Sequence, residues 1–101
     1  MRNVQIKVIK ITYDEALAQR YLTDGKDAGS CTFFEVGDTF LYQGGAQMPE
    51  GFCPWAWIDT YHSVNALATG SSYAPWQNAA NQNIVCCTDG IRPVTFELKA
   101  L

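Results

Sequence analysis

The sequence predicts one α+β domain over residues 1–101, with about five short, mostly antiparallel strands and two helices. Three observations support this fold class. Alternating apolar and polar residues mark a strand at each end of the chain, and the interval between Pro54 and Gly70 marks one long helix. No repeat divides the chain, and a length of 101 residues fits a single domain.

The first two elements follow from local patterns at the start of the chain. In VQIKVIKI, residues 4–11, apolar positions alternate with Gln5 and Lys7, which predicts a strand with one buried face. Asp14 suits the cap of a short helix, EALAQRYL, over residues 15–22. The glycine-containing segment TDGKDAGS then ends that helix and leads to Cys31.

The segment CTFFEVGDTFLYQGG, residues 31–45, predicts a hairpin. Two short strands are expected on either side of Gly37 and Asp38, because a glycine beside an aspartate between apolar runs is typical of such turns. Further turns are expected at Gly44-Gly45 and in the segment MPEG before the long helix.

The main helix is predicted over residues 54–69, with Pro54 at its first position and Gly70 just after its end. At about 100° per residue, one stripe of this helix should face the sheet. That stripe consists of Trp57, Tyr61, Val64 and Ala68, flanked by Ile58 and Leu67. The opposite arc, expected to face solvent, consists of Asp59, His62, Ser63 and Ala66.

The last third of the chain predicts a long loop followed by two strands. Residues 70–83 are polar except for Tyr73 and Trp76, a composition typical of a functional or mobile loop. IVCCT, residues 84–88, predicts a buried strand, and DGIRP predicts a turn. VTFELKAL, residues 94–101, alternates and predicts a final strand.

Four cysteines suggest a thiol site. Cys53 falls at the N-cap of the main helix, where free amides and the helix dipole favour a thiolate. Ala56 stands where a thioredoxin-type motif would have its second cysteine, so that motif is excluded. In a strand, Cys86 and Cys87 would point to opposite faces, one to the site and the other to the core.

The first functional hypothesis is a metal site formed by Cys31, Cys53 and either Cys87 or Cys86, with zinc or iron as the candidate ion. A water, a carboxylate or a substrate would take the fourth position. His62 is excluded as a partner of Cys53, because nine helical residues separate the two by about 13 Å and half a turn.

Two alternatives remain open at this stage. In one, Cys53 is the catalytic residue of a thiol-redox or nucleophilic protein. In the other, the chain is a non-catalytic accessory or interaction protein whose cysteines are buried for structural reasons. Whether the protein is an enzyme is left open.

Four further residues are candidates for a pocket or for the surroundings of the site. Asp89 follows Cys87 by two positions and stands beside a turn glycine, where ordinary Asp-Gly turn chemistry is also expected. Arg92 suits an anion or a surface ion pair. Trp55 and Trp76 are candidates for an apolar pocket lining.

Charge and hydropathy limit the classes of partner. The net charge is −3 and the basic residues are scattered, which argues against nucleic-acid binding. No apolar run approaches the roughly 18 residues of a membrane span, and the alternating N-terminus is unlike a secretory signal. We therefore expect a cytoplasmic protein with no membrane contact. Low charge and three tryptophans leave room for an apolar interface, so a homodimer is a candidate assembly.

The segments MPEGFCPWAW and CCTDGIRPVTFELKAL, together with VQIKVIKI and FEVGDTF, carry a resemblance that covers essentially the whole chain. The chain resembles an uncharacterised family of small cysteine-containing prokaryotic proteins, found often in anaerobes. The matching positions are Cys31, Gly37, Asp38, Phe40, Pro49, Gly51, Cys53, Ala56, Asp89, Pro93, Val94 and Phe96. Thr88 stands where many relatives have proline. The resemblance implies a shared architecture and a shared cysteine site, but no activity. A partner protein in an anaerobic redox pathway is a candidate under the thiol-redox alternative for Cys53.

Overall fold

A computed structural model describes residues 1–23 and 28–101 and has an α+β architecture, as predicted. The elements in chain order are β1 (Val4–Ile11), α1 (Glu15–Tyr21), β2 (Thr39–Tyr42), α2 (Pro54–Ala68), β3 (Gln82–Cys86) and β4 (Val94–Ala100). The strands form one sheet in the order β2-β1-β4-β3, and every neighbouring pair is antiparallel. The predicted breaker TDGKDAGS falls partly on residues 24–27, outside the described residues.

The prediction of about five strands is wrong, because the described residues contain four. The hairpin expected around Gly37 does not form. The Gly37 N–H donates to the Val8 carbonyl at 2.8 Å, and the Val8 N–H donates to the Asp38 carbonyl at 2.9 Å. The turn is therefore attached to β1 and leads directly into β2, while the preceding residues turn inward to bury Phe34.

The core lies on one face of the sheet, beneath α2. Its strand residues alternate along the two central strands and are fully or almost fully buried: Val4, Ile6, Val8, Val94, Phe96, Leu98 and Ala100. This confirms the inward face predicted for both strands. The rings of Phe34, Phe52 and Phe96 contact one another in tilted or edge-to-face geometry within this core, with centroid separations of 5.3–5.4 Å. We call these three rings the aromatic trio.

The predicted ends of both helices are confirmed within a residue. The Leu17 N–H donates to Asp14 Oδ1 at 3.0 Å, so Asp14 caps α1. In α2, Pro54 occupies the first turn, and Gly70 follows the C-cap with a φ of 100° that a side chain would strain. Among the described residues, neither helix has the length and apolar content needed to cross a membrane.

The face of α2 that meets the sheet differs from the predicted stripe. The buried residues are Ala56, Thr60, Ser63, Val64, Leu67 and Ala68, so small side chains line the contact. The Thr60 hydroxyl donates to the Ala56 carbonyl at 2.8 Å, which satisfies its polar group inside the helix. Trp57 lies to one side, with its ring centroid 5.7 Å from that of Tyr42, and Ile58 points outward.

Candidate functional site

Three of the four cysteines pack against the core. Cys31, Cys53 and Cys87 are half-buried and pack against the core cluster, whereas Cys86 is exposed. Cys53 adjoins Phe52 in the chain, and Cys31 lies three residues before Phe34. Cys87 pairs with Val94, two residues before Phe96 in β4. Of the two adjacent cysteines, Cys87 therefore packs against the core and Cys86 is exposed.

The described residues bring no three histidine, cysteine, aspartate or glutamate side chains together as a set that could hold a metal ion. All four thiols are free, since none forms a disulfide within the described part of the chain. Cys53 occupies the N-cap of α2, as predicted, but its side chain makes no capping hydrogen bond. The metal site and its zinc or iron thus remain predictions.

Cys87 has a specific structural role at the end of the β3–β4 pair. Its backbone N–H donates to the Val94 carbonyl at 3.0 Å, and its Sγ accepts from the Val94 N–H at 3.3 Å. The sulfur thus stands in for the carbonyl that would normally complete this antiparallel pair.

A groove of about 390 Å³ opens beside the first turns of α2. It is lined by Trp55, Ile58, Asp59, Thr88 and Asp89. Trp55 is 69% exposed and Ile58 is 73% exposed, so an apolar surface faces solvent at the groove. The sequence had pointed to Trp55 and Asp89, but it missed Ile58, Asp59 and Thr88 because these depend on the rotation of α2 and on where β3 ends.

Asp89 is occupied by its own turn. Its Oδ1 accepts from the N–H groups of Ile91 at 2.9 Å and Arg92 at 3.0 Å, and its Oδ2 lies 3.4 Å from Arg92 Nε. Partial burial alone would raise the pKa of Asp89, but the two backbone hydrogen bonds and the Arg92 charge outweigh it and lower that pKa. The geometry therefore supports the turn role that the sequence offered for Asp89 and the ion pair that it offered for Arg92.

Trp76 lies on the loop before β3 and does not line the groove of its own chain. It is 86% exposed, although a tryptophan is usually among the more buried side chains. The loop itself is held in place. The Gln82 amide donates to Gln77 Oε1 at 3.2 Å and to Asn78 Oδ1 at 2.8 Å, and the Tyr73 hydroxyl donates to Ser63 Oγ at 3.3 Å.

The strand β3 forms an edge of the sheet, because within the described part of the chain it pairs with β4 alone. Hydrogen bonds join the pair Cys87–Val94 and, six residues along, the pair Asn81–Ala100. Hydrogen-bonded pairs alternate in an antiparallel ladder, so the residues that bond to β4 are the odd-numbered ones. The backbone groups of Gln82, Ile84 and Cys86 consequently point away from the sheet.

This edge lies in the longest uncharged stretch of the chain. From Ser63 to Thr88 there is no aspartate, glutamate, lysine, arginine or histidine, although 17% of the whole chain is charged. β3 contains no proline, and its register with β4 runs without a bulge. Of the devices that usually block a sheet edge, it therefore lacks charge, proline and a bulge. This uncharged stretch is the sequence signal that could have identified the surface.

No family model, curated protein or solved structure matches the chain. The resemblance to a family of small prokaryotic proteins thus stays a prediction, and the candidate site is interpreted from its geometry alone.

Proposed function

We propose that this chain is a small interaction protein that binds an extended strand of another polypeptide along the free edge of β3. The observation that carries the proposal is the uncharged edge itself, at which Gln82, Ile84 and Cys86 turn their backbone groups outward. Addition of a strand to such an edge is a recurring mode of recognition, in which backbone hydrogen bonds supply affinity and side-chain pockets supply specificity.

The surroundings of the edge support the same function. Trp55 and Ile58 are exposed at the groove beside the end of β3, and Trp76 is exposed on the loop before its start. Tryptophan is enriched among interface hot spots, and contiguous exposed apolar surface often marks an interaction site. In this proposal the half-buried cysteines serve mainly as small apolar residues that fill space around the core.

A labelled peptide tests whether the edge accepts a strand. The probe is residues 79–88 of this chain with serine at both cysteine positions, titrated into the protein and followed by fluorescence anisotropy. We expect saturable binding that is lost in Ile84→Lys, because a charge is introduced in the middle of the edge. The matched control is Leu41→Lys on the opposite edge strand, since Leu41 and Ile84 are 42% and 41% exposed.

Equal binding of the peptide to the wild-type protein, Ile84→Lys and Leu41→Lys would contradict the proposal, because the binding site would then lie elsewhere. Absence of binding to a monomeric wild-type protein would contradict it as well.

A second candidate function is a thiol site that holds zinc or iron at Cys31, Cys53 and Cys87. It is favoured by the packing of these three half-buried cysteines against the core, and by the hydrogen bond that Cys87 Sγ accepts from the Val94 N–H. Cys86 is the weaker ligand candidate, because it is exposed on the other face of β3. Thiol chemistry centred on Cys53 is the remaining alternative for the same residues.

Elemental analysis after anaerobic purification distinguishes these possibilities. A metal site predicts stoichiometric zinc or iron in the wild-type protein and its loss in Cys53→Ser, with Cys86→Ser as a control that retains the metal. Metal-free protein in which all the thiols react freely would exclude this candidate. Rapid alkylation of Cys53 alone, in the absence of metal, would instead support the thiol-chemistry alternative.

A further inference from the structure

We infer that the strand bound at this edge is β3 of a second copy of the chain, in antiparallel pairing about a two-fold axis that passes Ile84. The inference rests on the proposed function and names its partner. A two-fold contact must be self-complementary, so that each residue meets an acceptable counterpart on the other copy. Three properties of the β3 edge satisfy that condition: its register, its lack of charge and the position of its exposed tryptophans.

The register follows from which residues face outward. In antiparallel pairing centred on Ile84, Gln82 of one copy lies opposite Cys86 of the other, and Ile84 lies opposite itself. All three residues whose backbone groups point away from the sheet thus meet their counterparts on the second copy, so each of these groups has a partner across the interface. The Ile84 N–H, which donates to Asn83 Oδ1 at 3.0 Å, would exchange that acceptor for a carbonyl of the second copy.

Charge permits this pairing although the chain carries a net charge of −3. No charged side chain occurs between Ser63 and Thr88, so no like charges meet along the paired strands. At the groove, Asp89 is already paired with Arg92, which leaves Asp59 as the free carboxylate. The antiparallel arrangement brings this end of β3 to the uncharged loop of the other copy, not to a second Asp59.

In the same arrangement, a side chain of one copy fills the groove beside α2 of the other. Because the strands run in opposite directions, the loop that carries Trp76 comes to the end of the partner's β3 where the groove lies. We place Trp76 of each copy against Trp55 and Ile58 of the other. A stable interface buries about 800 Å² on each partner. Trp55 and Trp76 of one copy together contribute on the order of 300 Å² to that copy's share. The paired strands and Ile58 would supply the remainder.

Charges of either sign introduced at Ile84, on the two-fold axis, test the inference. Sedimentation equilibrium should give twice the mass of one chain for the wild-type protein and for Leu41→Lys. Ile84→Lys and Ile84→Glu should each weaken self-association by on the order of 100-fold, because each variant places like charges opposite one another. An equimolar mixture of these two variants should restore the dimer. Trp76→Ala should weaken it by about 30-fold, as expected for a buried interface tryptophan.

The outcomes separate this inference from the proposed function. A monomeric wild-type protein that still binds the strand peptide would overturn the homodimer and leave the interaction function intact. A monomer that binds no peptide would overturn both. A dimer that Ile84→Lys does not weaken, or a mixture of the two charge variants that stays monomeric, would show that the two-fold axis does not pass Ile84.

Discussion

Replacement of Phe96 by alanine should lower the free energy of unfolding by about 3–5 kcal/mol. Phe96 is fully buried, and its ring centroid lies 5.3 Å from that of Phe52 and 5.4 Å from that of Phe34. Its removal leaves a cavity lined by apolar side chains and also breaks two ring contacts. Since domains of this size are stable by roughly 5–15 kcal/mol, the variant should be close to unfolding at ambient temperature.

Urea unfolding at several protein concentrations provides the measurement, because a dimer would make apparent stability depend on concentration. Phe33→Ala is the matched control. Phe33 is 55% exposed and touches the trio only at Phe34, with centroids 4.9 Å apart, so its loss should cost about 1 kcal/mol. Equal losses in the two variants would mean that the aromatic trio is not the centre of the core.

Leu67→Ala should be nearly as damaging, at about 2–5 kcal/mol. Leu67 is fully buried in the face of α2 that packs on the sheet, and a cavity at that position cannot be filled by solvent. The sequence placed Leu67 only at the flank of the buried stripe, so the size of this loss reports the rotation of α2 about its axis. Thermal and urea unfolding of the variant, compared with the wild-type protein, provide the measurement.

Ile58→Ala is the informative comparison within the same helix. The sequence assigned Ile58 and Leu67 equivalent flanking positions, whereas Ile58 is in fact 73% exposed. We expect its replacement to change the unfolding free energy of the monomer by no more than about 0.5 kcal/mol. A loss at Ile58 as large as that at Leu67 would mean that α2 is rotated from the orientation described above.

The sequence predicted correctly those features that depend on interactions between residues close together in the chain. Asp14 caps α1, Pro54 opens α2 and Gly70 follows its end, because each depends only on the geometry of a few adjacent residues. The alternation in β1 and β4 likewise predicted the buried faces, since successive strand side chains point to opposite sides of a sheet.

The predicted hairpin failed for a physical reason that lies far away in the chain. Gly37 and Asp38 have the composition of a hairpin turn, but their backbone groups bond to Val8 in β1. The turn therefore joins β2 to a strand formed some thirty residues earlier, and local composition carries no information about that choice of partner. Burial of Phe34 then prevents the preceding residues from extending as a strand.

In the candidate site, too, some features follow from the local sequence and others depend on tertiary packing. The position of Cys53 at the start of α2 and the opposed directions of Cys86 and Cys87 follow from local geometry. Whether the thiols assemble, and whether Trp55 is covered or exposed, depends on how α2 rests on the sheet. The uncharged segment 63–88 contains the edge strand and its loop, and its place at the edge depends on the pairing of distant strands.

The sequence by itself thus determined the α+β class, the ends of both helices, the inward faces of the two central strands and the N-cap position of Cys53. These are short-range consequences of hydrogen bonding, capping and side-chain alternation. Only the tertiary structure decided that β2 joins β1, that small residues of α2 face the sheet, and that β3 lies at an edge. Those outcomes minimise the free energy of contacts between distant segments, and no local pattern contains them.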